Sequence, residues 1–289
     1  MAQVSMPIRQ ITIIGTGLIG GSFALALRRQ FPEVSLVGFS RSGSAAQAVA
    51  RGAIDEVVPD LASAVRGADL IYIALPIGAT IEALGTIAKN AEPQALVTDA
   101  GSTKSAICQA ARECLHAGPL FLGGHPMAGK EQSGIEHADP ELFAGAPYVL
   151  MGIEATADRR AKQFQEVVRA IGARPLWCDP ETHDWAVGIV SHLPQLVAIA
   201  LARVVEDETD ETGLPLSLAG PGLHDTLRLA GSPYRVWRDI LLTNTDNVSR
   251  ALDRLAQAIE YLRTNLTSRD LEQEFVGANQ LYKQLRRPP

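Results

Sequence analysis

The hydrophobic positions along the chain change their period once. From Ile11 to Cys178, short apolar or β-branched runs alternate with stretches of helical period. Ile11–Ile14, Ser35–Phe39, Leu70–Leu75, Ala95–Asp99, Leu120–Gly123, Tyr148–Met151 and Arg174–Cys178 read as strands. Ser22–Arg29, Ser44–Arg51, Ser105–Leu115 and Ala157–Ile171 read as helices. This alternation implies βαβ units and a sheet with helices on both faces. Beyond Asp179 the period is helical throughout. Trp185–Val205, Asp225–Ala230, Pro233–Thr243, Asn247–Asn265 and Asp270–Leu285 are the segments, punctuated by Pro215, Pro221 and Pro233. The expected architecture is an α/β domain over residues 1–179 followed by an all-α domain over 180–289.

Length agrees, since 289 residues suit two domains. The net charge of −6 argues against a surface built for nucleic-acid backbone, which calls for a basic face. Three cysteines without a CxxC pair indicate neither a disulfide framework nor a thiolate metal site, and no metal is expected. Ile11–Leu27 is uncharged, but Gly15, Gly17, Gly20 and Gly21 interrupt it. A strand, a glycine turn and a helix explain that run better than a membrane span or a signal peptide. A cytoplasmic protein is expected.

Gly15-Thr-Gly17-Leu18-Ile19-Gly20 fits GxGxxG between a strand and a helix. The first glycine permits the turn, the second admits pyrophosphate to the backbone, and the third lets helix and strand pack closely. The fold class is therefore α/β with an N-terminal Rossmann-like dinucleotide-binding domain. The second strand ends in Phe39-Ser40-Arg41-Ser42, where an acidic residue would bind the ribose 2′-hydroxyl of NAD. Ser40 can hydrogen-bond a 2′-phosphate and Arg41 can pair with it, which favours NADP over NAD. Leu75, Pro76 and Asp99, at the ends of later strands, complete the expected cofactor contacts.

Three further clusters carry chemistry. Ser102, in Asp99-Ala-Gly-Ser-Thr-Lys104, stands where a strand meets a helix and is expected to face the ligand, to cap the helix, or both. His125 follows a strand in a glycine- and proline-rich loop, where an imidazole can take a proton from a hydroxyl. His192 precedes Pro194 in an apolar helical run, where an internal proline costs about 3 kcal/mol and implies a kink. Arg228 is a candidate clamp for a carboxylate. His116, His137, His183 and His224 have no comparable setting and read as structural.

The blocks GTGLIGGS (Gly15–Ser22), DAGSTK (Asp99–Lys104), GHPMAGKEQSG (Gly124–Gly134), SHLPQ (Ser191–Gln195) and DTLRLAGSPYRVWRDI (Asp225–Ile240) occur in this order. Together they resemble the prephenate/arogenate (cyclohexadienyl) dehydrogenases of tyrosine biosynthesis. The resemblance implies oxidative decarboxylation, with C4 of the cyclohexadiene ring giving hydride to the nicotinamide. It implies His125 as acceptor of the C4 hydroxyl proton and Ser102 as its hydrogen-bonding partner. His192 would line the substrate pocket and Arg228 would bind a substrate carboxylate. Glu131, Asp225 and Trp237 would shape the pocket entrance. The helical domain would form a homodimer. Only helical pattern follows Thr243, so no appended regulatory domain or mutase is expected, and any tyrosine inhibition would be expected to act at the active site. The competing readings are another NADP-dependent dehydrogenase or an imine reductase with a helical second domain, and a non-catalytic NADP(H) sensor.

Overall fold

A computed structural model describes residues 8–41, 43–116, 118–130, 132–152 and 156–286. Strand β1 (Gln10–Ile14) is buried along nearly its whole length, as an apolar β-branched run between two helical layers must be. Helix α1 (Leu18–Gln30), β2 (Ser35–Phe39), α2 (Ser44–Ala50), β3 (Glu56–Val57) and α3 (Leu61–Val65) follow. Then come β4 (Leu70–Ile73), α4 (Ile77–Asn90), β5 (Leu96–Asp99), α5 (Ser105–Cys114) and β6 (Leu120–Leu122). These strands form one parallel sheet in the order β3-β2-β1-β4-β5-β6. The order reverses between β1 and β4, so the ligand crevice opens at the carboxyl ends of those two strands.

A second sheet is made by β7 (Gly124–Pro126), β8 (Pro147–Met151) and β9 (Arg174–Cys178), with α6 (Arg159–Ala170) between β8 and β9. Strand β7 runs antiparallel to β8 and pairs His125 with Val149. His125 is thus held on a strand and not in a loop as expected. Glycines allow this placement: a Cβ on Gly124 would come 2.6 Å from the Asp99 carbonyl oxygen. Phe23 of α1 stacks on Tyr72 of β4 at 3.8 Å between ring centres and anchors the main core.

The helical part comprises α7 (Pro180–Val187), α8 (Leu193–Asp207), α9 (Leu214–Ser217), α10 (Pro221–Leu227), α11 (Tyr234–Thr243), α12 (Thr245–Thr264) and α13 (Leu271–Leu285). A π-helical turn, Gly188–His192, joins α7 to α8, so Pro180–Asp207 is one continuous helix of 28 residues. The expected kink at Pro194 is taken up here. Pro194 offers no N–H to the carbonyl four residues back, and the wide turn shifts the hydrogen-bond register before it. Helix α4 was not anticipated, because Gly78, Thr80, Gly85 and Thr86 dilute its propensity. Burial of Ile77, Leu84 and Ile87 holds it in place. Helix α1 also begins four residues before the expected Ser22, inside the glycine motif.

Candidate active site

Gly15 has φ +91°, and a Cβ there would sit 2.3 Å from the Ala74 carbonyl oxygen. A Cβ on Gly20 would meet the Gly15 carbonyl oxygen at 1.9 Å. At Gly17 the added carbon would meet nothing within 4 Å, so open space lies over the start of α1. Helix α1 has no side-chain cap, and its first-turn N–H groups face that space. The site fits a dinucleotide pyrophosphate in shape and in polarity. Leu75 and Pro76 flank it at the end of β4. Beside β2, Thr16 Oγ1 lies 2.8 Å from Ser44 Oγ, which donates to Ser40 Oγ at 2.9 Å. Arg41 is exposed at the same edge. Ser42 and Glu131 lie outside the described residues.

Asp99, expected among the cofactor contacts, is turned to the interior. It is fully buried and ion-paired with the equally buried Lys104. Its carboxylate also accepts from Gly101 N at 2.8 Å and Gly124 N at 3.2 Å.

His125 is buried, and its Nδ1 lies 2.9 Å from His183 Nε2. His183 Nδ1 lies 2.8 Å from Asp184 Oδ1. The Asp184 carboxylate also accepts from Lys104 N at 2.7 Å and Ser105 N at 2.8 Å, which caps α5. Burial works to raise the Asp184 carboxyl, but hydrogen bonds from His183, Ser105 and Lys104 outweigh it and hold it below the usual carboxylate range. An ionised carboxylate only accepts, so His183 carries its proton on Nδ1. With His183 carrying that one proton, its Nε2 accepts, and the proton of His125 sits on Nδ1. The Nε2 lone pair of His125 is left free. Burial, then the neighbouring His183, Lys104 and His192, pushes the His125 pKa well below the ordinary histidine value of 6.5. The imidazole is therefore neutral and able to accept a proton near pH 7.

Two expectations change here. His183 is part of this chain of groups and not merely structural. Its signal in the sequence was the adjacent Asp184, which the helical period alone did not single out. Ser102 neither caps α5 nor bonds His125. Asp184 has taken the cap and His183 the imidazole, and the Ser102 hydroxyl has no partner among the described residues.

His192 lies behind this group. Asn244 Nδ2 donates to the Asp184 carbonyl at 2.7 Å and to His192 Nδ1 at 3.1 Å. Burial pushes the His192 pKa down to about 4, against the opposing charge of Asp184. The ring is neutral, and with Nδ1 accepting, Nε2 carries the hydrogen. Trp237 meets His192 edge to face at 5.8 Å. The Trp237 indole Nε1 and the Gln195 amide Nε2 are both buried without a hydrogen-bond partner. Such orphan donors are costly, at about 1–3 kcal/mol each, and are available to an acceptor on a ligand. Its place next to the Pro194 kink already made Gln195 a candidate contributor to substrate choice in the sequence, and the structure buries it. Asp225 and Arg228 are exposed on α10 and the 3-10 turn after it, outside this buried cluster.

A family model for the prephenate dehydrogenase nucleotide-binding domain matches residues 23–176, and one for the prephenate dehydrogenase dimerization domain matches 179–281. The prephenate dehydrogenase of Bacillus subtilis (strain 168) is 33% identical over 267 residues, 92% of this chain and 72% of the relative. A crystal structure of prephenate dehydrogenase from A. aeolicus, in complex with hydroxyphenyl propionate and NAD+, has a TM-score of 0.86 at 30% identity and covers 98% of both chains. That of Synechocystis arogenate dehydrogenase has a TM-score of 0.79 at 32% identity, over 94% of this chain and 99% of that one.

Proposed function

The chain belongs to the prephenate dehydrogenase family, an oxidoreductase working with a nicotinamide dinucleotide, and from this we propose that it oxidatively decarboxylates arogenate or prephenate with NADP+ as acceptor. The observation that carries the reading is the Asp184–His183–His125 chain, which leaves one basic nitrogen free beside the dinucleotide domain. His125 Nε2 takes the proton of the ring C4 hydroxyl, and that O–H electron pair becomes the new C4=O bond. When bound, the nicotinamide supplies the two-electron acceptor for the C4 hydride. The bond from the ring to its carboxylate then breaks, CO2 leaves, and its electron pair makes the ring aromatic. His125 returns its proton to the phenol oxygen, so no net proton is consumed. The imidazolium formed in between is stabilised through His183 by Asp184.

The uncharged donors of His192, Gln195 and Trp237 suit a substrate carboxylate that must lose its charge as CO2. A cation there would favour the ground state and oppose the loss. Ser102 and Arg228 are assigned to the C4 oxygen and to the substrate carboxylate at the entrance, with Asp225 beside Arg228. Ser40 and Arg41 are assigned to the 2′-phosphate of NADP.

The domain assignment is a dinucleotide-binding unit over 1–179 and a substrate and dimer unit over 180–289. Helix α13 buries none of its residues and exposes Phe275, Leu281 and Leu285. With the dimerization-domain match, this supports a homodimer. The helix Pro180–Asp207 is apolar enough to cross a membrane, but its Asp184 and His192 are hydrogen-bonded inside the protein. We read it as a helix of a cytoplasmic enzyme and not as a membrane span.

The test is reduction of NADP+ and of NAD+ with prephenate and with L-arogenate, followed at the nicotinamide absorbance. Turnover in at least one pair is expected, with NADP+ preferred. A folded dimer that binds NADP+ and turns over none of the four pairs would overturn the assignment.

A further inference from the structure

Lys104 is fully buried, a rare place for an ammonium. Its Nζ pairs with Asp99 and donates to the Gly124 carbonyl at 2.8 Å. Asp99 in turn accepts the Gly124 N–H, so both polar groups of the residue preceding His125 are held by one ion pair. The main chain of the same lysine donates to Asp184 at 2.7 Å. Lys104 therefore holds Asp184 at one end of the proton-accepting chain and Gly124, the residue before His125, at the other, although His125 and Asp184 lie in different domains.

A buried ion pair adds little net stability once desolvation is counted, and an apolar pair of similar volume often does as well. Its retention here calls for another reason, and geometry supplies one. We propose that Lys104 is a positioning residue, setting the register of Gly124 and of Asp184 so that His183 bridges them and His125 keeps its Nε2 free. The proposal rests on the reading of His125 as the base. It does not place Lys104 in contact with substrate.

The test compares the dimeric wild type with the paired variants Lys104→Met/Asp99→Asn and Lys104→Gln/Asp99→Asn. The pairing avoids leaving a buried charge without its counterion. Histidine tautomers are read by long-range nitrogen–proton NMR, alongside kcat, KM and thermal midpoint. In wild type, His125 is expected as the single Nδ1–H tautomer. The Met pair is expected to mix the two tautomers and lower kcat by about 30-fold or more, with KM for substrate and NADP+ within about 3-fold. The Gln pair, which keeps a donor toward Gly124, is expected to recover part of both effects. Unchanged tautomer and kcat in a folded Met pair would overturn the proposal, as would a loss expressed only in thermal midpoint. Wild type inactive with every substrate pair would remove the functional reading, while the tautomer comparison would still decide the role of Lys104.

Discussion

Asp184→Asn is the most informative single change, because one carboxylate performs two separable tasks. It accepts from the two backbone N–H groups that open α5, and it accepts from His183 at 2.8 Å. The substituted amide has the same shape but one donor face. If its oxygen stays on His183, its NH2 group faces the Ser105 N–H, and one cap bond becomes a donor–donor contact. Loss of a cap costs about 1–2 kcal/mol. In a chain of this size that is a fall of about 2–8 °C in thermal midpoint. The catalytic effect is separate. A hydrogen bond to a charged group is worth about 1.5–3 kcal/mol and a neutral one about 0.5–1.5. The difference, about 1–2 kcal/mol, is lost when the His125 imidazolium forms, and it lowers kcat by about 5- to 30-fold. If the amide turns its NH2 toward His183, the tautomers of both histidines invert. His125 Nε2 is then protonated and the loss becomes much larger. Steady-state kinetics below the melting range, with the histidine tautomers read by NMR, separates these cases. A kcat within about 2-fold of wild type, in a variant with the expected drop in midpoint, would show that Asp184 is a helix cap only.

Three other outcomes follow from the same geometry. His125 must be neutral to act and its pKa lies well below 6.5, so kcat/KM should stay level as pH falls through 6.5 and drop only at lower pH. An acid limb at or above pH 7, with chemistry rate-limiting, would contradict the burial argument. Arg41→Asp should lower kcat/KM for NADP+ by about 10- to 100-fold while leaving NAD+ nearly unchanged, as expected when a charge-assisted bond to the 2′-phosphate is replaced by repulsion. Gln195→Leu removes a buried donor that has no protein partner, so the thermal midpoint should hold or rise while substrate KM increases about 10-fold. A variant both less stable and fully active would assign Gln195 to packing.

Much of the fold was legible in the chain because its causes are local. Ile11–Ile14 could only be a buried strand, and the glycines at 15, 17 and 20 answer to a turn, an open cradle and a close packing contact within a few residues. The helical half was legible from its period, and the family from the order of its motifs. His125 and His192 stood out for the same reason, each beside proline or glycine in a short distinctive block.

The arrangement that gives those histidines their chemistry was decided by docking the two halves. Asp184 caps α5 from a position 80 residues away, and Asp239 of α11 accepts the Gly78 N–H at the start of α4 at 3.0 Å, from 161 residues away. Neither helix carries a side-chain cap of its own, so their N-termini read in the sequence as incomplete. Ser102 looked like the local cap and lost that place to a charged group brought from the other domain. His183 looked ordinary because a histidine in a helical run says nothing of what lies opposite. Hydrophobic period follows from the residues within a turn or two of each other. The tautomer of a buried imidazole, the state of a buried lysine and the partner of an uncapped helix follow from which polar groups are shut away from water together, and that depends on the packed whole.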